Sequence, residues 1–80
     1  MNEVNETLRS IRNEIEFHKM KKNTLKEANE IINNSKLDDE SKQVILDSIR
    51  FKWDFHNHKI TRLVVARNEL MKKYHIPEND

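Results

Sequence analysis

Glycine and cysteine are both absent from this chain, and its only proline is Pro77, close to the end. Each absence removes a class of structure. Tight turns between strands call for residues with positive φ, which glycine supplies at least cost, so a chain without it is poorly suited to β-hairpins. Without cysteine there are no disulfides and no thiolate metal ligands, in keeping with a reducing compartment. Aromatic residues are only 6% of the chain, and no apolar run approaches the roughly 18 residues of a membrane span. The opening MNEVNETLRS has neither the basic region nor the apolar stretch of a secretory signal. The expectation is a cytoplasmic protein with no membrane partner.

What the chain does have is charge. Asp, Glu, Lys and Arg make up 36% of the 80 residues and apolar types 35%, yet the net charge is only +1. Such a balance exerts no global pull on nucleic acid. The length fits one small domain, residues 1–80, near the lower limit for a single core. Abundant Asn, Lys and Ile, all encoded by AT-rich codons, fit a bacterial or phage source.

Nothing breaks a helix from Asn2 to about residue 34, or from Asp39 to about residue 75, and NNSKLDD between them is the one convincing turn. Asp38 is a good N-cap, with Asp39 and Glu40 favourably placed in the first turn; Lys72 and Lys73 suit the last. An all-α, antiparallel helical hairpin follows, with a short disordered tail at 76–80. Along the first helix Val4, Leu8, Ile11 and Ile15 form a 4-3-4 stripe, whereas Phe17, Met20, Leu25, Ala28, Ile31 and Ile32 fall on another side. Two resolutions exist. A break near 22–24, where Thr24 and Glu27 have capping-box spacing, gives three helices; a continuous helix buried on two sides by an oligomer, the expectation preferred here, gives a bundle.

The second helix carries a long stripe of Ile45, Ile49, Trp53, His56, Ile60, Leu63, Arg67, Leu70 and Tyr74, predicted to face the first. Val44, Phe51, Phe55 and Val65 lie on its other side. Phe51 and Phe55 are helical neighbours, and an apolar pair off the core is expected to be an interface, most simply in a homodimeric four-helix bundle.

Histidines raise the question of a metal. Glu14 with His18 and Asp54 with His58 have i, i+4 spacing, and a turn near residue 36 sets 18 opposite about 54. Together they resemble a Zn or Fe ligand set. Helical phase counts against it, since Asp54 and His58 point away from the Trp53 stripe, so no metal and no cofactor are expected. His56 instead lies on the inner stripe with His18, Lys22 and Trp53 near by, either as satisfied core groups or as an anion or nucleotide pocket. Arg67 is expected to pair with a carboxylate near the start of the first helix, such as Glu3 or Glu6, or with one from a partner.

Lys19, Lys21, Lys22 and Lys26 cluster on the first helix, where the register sets them near Arg50 and Lys52. A solvated face is the ordinary meaning of such a band; phosphate contact is the functional one. The architecture resembles Rop-type hairpin dimers, on the helix start LDDESKQVILDSI at 37–49, and that resemblance implies RNA binding from the surface of a bundle. No Gly-rich phosphate loop, nucleophile elbow or cysteine nucleophile is present, so the chain is expected to be a non-enzyme. The expected function is a small helical interaction protein that self-associates and binds a partner protein as adaptor, regulator or inhibitor. The alternative is a nucleic-acid- or nucleotide-binding hairpin using Lys19, Lys21, Lys22, Lys26, Arg50, Trp53 and His56.

Overall fold

In the computed structural model, which describes residues 2–77, two helices pack as an antiparallel hairpin: α1 (Asn2–Asn33) and α2 (Asp39–Lys73). The molecule is a rod of 55 × 17 × 15 Å, the length expected of a 35-residue helix at about 1.5 Å per residue. Both helix spans agree with the sequence to within two residues.

The turn is built from side-chain caps instead of glycine. Asp38 has extended backbone, and its carboxylate accepts the Ser41 backbone N–H at 3.3 Å, satisfying one orphan donor of α2. Hydrogen bonding from Ser41, by its side chain first and its backbone N–H second, holds the Asp38 carboxyl below the usual carboxylate range. The last turn of α1 has no basic residue of its own. Lys42 reaches back across the turn instead, donating to the Asn33 carbonyl at 3.2 Å.

At the far end of α2, Ile76 N–H bonds Met71 O (2.8 Å) and His75 N–H bonds Lys72 O (3.3 Å), the paired bonds of a Schellman cap. His75 takes the left-handed conformation, φ 54°, that glycine would fill more easily. Tyr74 is the C-cap residue and is exposed, so the inner stripe of α2 stops at Leu70 and Met71, short of its expected end. Of the tail expected at 76–80, Ile76 is held by this cap, and residues 78–80 lie outside the described ones.

α1 is continuous. Thr24 does not cap a third helix; its hydroxyl donates back to the Met20 carbonyl at 3.1 Å, as a threonine inside a helix does. The face turned to α2 also resolves the phase shift. Leu8, Ile11, Ile15, His18, Lys22, Leu25, Asn29 and Ile32 are all partly or fully buried, and their spacing of three and four never lapses. His18, Lys22 and Asn29 fill the positions at which the apolar pattern alone loses phase. Phe17, Met20 and Ile31 point outward, at 52%, 67% and 67% exposure.

Packing between the helices is thin. Ile15, at 4% exposure, is the one buried hydrophobic among the described residues, and α2 buries none. A fully buried Leu, Ile or Phe contributes about 1.5–3 kcal/mol, and this hairpin collects that from a single side chain and only fractions from the rest.

Candidate functional site

Midway along the seam, His18 from α1 meets His56 from α2, with 2.8 Å between their Nδ1 atoms. At that distance one ring donates its Nδ1–H and the other accepts. Both rings are half-buried, although the flanking residues on their outer side are exposed. Burial, together with the charges of His18 and Lys21, holds the His56 imidazole below its ordinary range.

Phenylalanines flank the pair symmetrically. Phe17 stands edge-on to His18 at 5.3 Å and Phe55 edge-on to His56 at 5.3 Å, with 5.0 Å between the histidine centroids. Lys21 lies 5.3 Å over the Phe17 ring and Lys59 lies 5.5 Å over Phe55. The sequence carries a repeat behind this symmetry: Glu16-Phe17-His18 with Lys21, and Asp54-Phe55-His56 with Lys59. Helix-by-helix reading of apolar periodicity misses it, because the signal lies in comparing one helix with the other.

The register differs from the one the turn implies. His18 sits against His56, two residues further along α2 than expected, and Asp54 and His58 are exposed on the outside of the hairpin. Glu14, His18, Asp54 and His58 therefore do not converge, and among the described residues no group of three or more His, Asp or Glu side chains does. Glu14 shares a shallow hollow with His18, Lys59, Arg62 and Leu63.

Lys22 is engaged inside the chain. Its amine sits 4.5 Å over the Trp53 ring and donates to Asn57 Oδ1 at 2.8 Å. The other members of the basic band divide between the two sides of the hairpin. Lys19 pairs with Glu16 at 3.8 Å and Lys21 stands by Phe17, while Lys26 and Arg50 line one groove with Trp53. That groove, about 680 Å³, is lined as well by the apolar Leu25, Leu46 and Ile49 and the polar Asn29, Asn33 and Gln43. Its one acid, Asp47, accepts a hydrogen bond from Gln43 at 2.8 Å. Arg67 does not reach Glu3 or Glu6: its Nε donates to the neighbouring Asn68 at 3.4 Å, and Glu16–Lys19 is the one ion pair among the described residues.

Val44, Phe51, Phe55 and Val65 lie on the face of α2 turned from α1, at 66%, 76%, 50% and 55% exposure. Ser48, His58 and Arg62 fall between them, so the seven positions from 44 to 65 keep strict spacing of four and three. No protein-family model matches the chain, and neither a curated protein nor a solved structure matches it.

Proposed function

We propose that the chain is a small, non-catalytic helical interaction protein that self-associates through the outer stripe of α2 and binds its partner protein as an assembled bundle. One observation carries this: a hairpin of two long helices in which, among the described residues, Ile15 alone is buried while Phe51 stands 76% exposed. A stripe with heptad spacing, apolar at Val44, Phe51, Phe55 and Val65, offers a second helix knobs-into-holes packing at those positions. A second copy fits it well. Antiparallel pairing of two α2 helices about the midpoint of residues 54 and 55 sets Val44 opposite Val65 and Asp47 opposite Arg62, twice each by symmetry.

Replacing Phe51 and Phe55 with Glu tests it. The double variant is expected to run at half or less of the wild-type mass in light scattering and to melt at lower temperature. Unchanged mass and melting point would remove the α2 stripe from the interface.

Nucleotide or nucleic-acid binding is a second reading, supported by the groove that joins Lys26, Arg50 and Trp53. Its mark is affinity that falls steeply with salt and disappears in a Lys26→Glu, Arg50→Glu variant.

A further inference from the structure

Among the described residues the His18–His56 pair is the only place where polar side chains from α1 and α2 meet ring to ring, and the repeat flanks it on both helices. Its hydrogen bond needs one unprotonated Nδ1. With both rings neutral, one tautomer donates to the other; adding a single proton keeps the bond and makes it charge-assisted. A second proton removes the only acceptor and sets two positive rings against each other across 2.8 Å.

The surroundings oppose that second proton. From α1 the charged groups beside the pair are Lys21, Lys22 and Glu14; from α2 they are Lys59 and Arg62. Four cations face one carboxylate. Lys22 is tied to Trp53 and Asn57, next to the pair, and Lys21 and Lys59 are each tied to a phenylalanine of the ring row.

We propose that His18 and His56 form a proton-sensitive clasp, which holds α1 to α2 while at least one ring is neutral and parts them at mid-hairpin when both are protonated. The lowered proton affinity of His56 fixes the sign. A group that binds protons less readily folded than unfolded supplies its stability fully above its unfolded value, about 6.5 for histidine. That stability is lost as the pH falls below this value toward the folded one. The hairpin has little other packing to resist the change, because Ile15 is the one buried hydrophobic among the described residues. The proposal concerns the seam within one chain and is independent of whether two chains pair.

Melting curves at fixed protein concentration test the clasp. Wild type is expected to lose about 5 °C or more in Tm between about pH 8 and about pH 5. A His18→Leu, His56→Leu variant fills two seam positions with apolar groups and is expected to fold, with most of that loss abolished. A His75→Gln variant, changed outside both the seam and the outer stripe, should keep the loss in full. An equally steep fall in the double variant, or a fall abolished by His75→Gln, overturns the proposal. Wild type alone supplies a second check should the double variant not fold: its proton NMR spectrum should show an exchange-protected imidazole N–H at pH 8 that vanishes by pH 5. No such proton at pH 8, or one that survives at pH 5, equally rejects the clasp.

Discussion

Asp38 and His75 end the same helix by different means, and only one of them is written plainly in the sequence. An aspartate before Asp39 and Glu40 announces an N-cap, and the structure gives it the Ser41 N–H. Asp38→Ala is expected to lower Tm by roughly 5 °C at neutral pH, checked by circular dichroism. Because the folded carboxyl sits below its ordinary range, its contribution is present above the unfolded carboxylate value and lost as pH falls through the folded one. The variant and wild type should therefore converge in strong acid. The other terminus gives no such signal, since a chain without glycine must put another residue in the left-handed position. Lys72, Lys73 and Pro77 bracket the end without fixing it, and the spacing of three and four runs on to Tyr74. His75→Gly is expected to raise Tm by a few degrees, by relieving a positive φ that a β-carbon disfavours. A lower Tm would mean that the His75 side chain contributes more than its backbone strain costs.

Between α1 and α2 the legible and the hidden divide along the nature of the side chain. Helix existence, antiparallel packing and the inner stripe of α2 follow from spacing alone, because Ile45, Ile49, Trp53, Ile60 and Leu63 keep it visible. In α1 the same seam runs through His18, Lys22 and Asn29, and a search for apolar residues steps off it onto Phe17, Met20 and Ile31. Two of these polar members have a reason to be there that spacing does not show: His18 meets His56, and the Lys22 stem lies along the seam with its amine over Trp53. Phase then suggests a kink that the backbone does not have. Thr24 tests this at the level of the helix. As an interior threonine it should be replaced by alanine with no loss, or with a small gain in Tm, since alanine is the better helix former. A cap residue would instead lose stability on that change. A drop of several degrees in Thr24→Ala would contradict a continuous α1.

Taken as a whole, the molecule leaves too much of itself in water. Its accessible surface is 6747 Å² for 9.7 kDa, against about 5,100 Å² for a compact monomer of that mass by the usual scaling. The excess of about 1,600 Å² exceeds the roughly 800 Å² per partner that a standard interface buries. Both helices present apolar groups outward, and the proposed pairing through α2 would cover Val44, Phe51, Phe55 and Val65 together. Phe17 and Met20 on α1 lie outside that stripe and stay exposed. The central claim is that the hairpin is half of an assembly, and sedimentation equilibrium of the wild-type protein at low micromolar concentration and neutral pH tests it most directly. The predicted result is a mass of at least twice the 9.7 kDa of the chain, stable across dilution in that range. A single species at 9.7 kDa that stays folded would contradict it and leave the exposed phenylalanines to a partner of another kind.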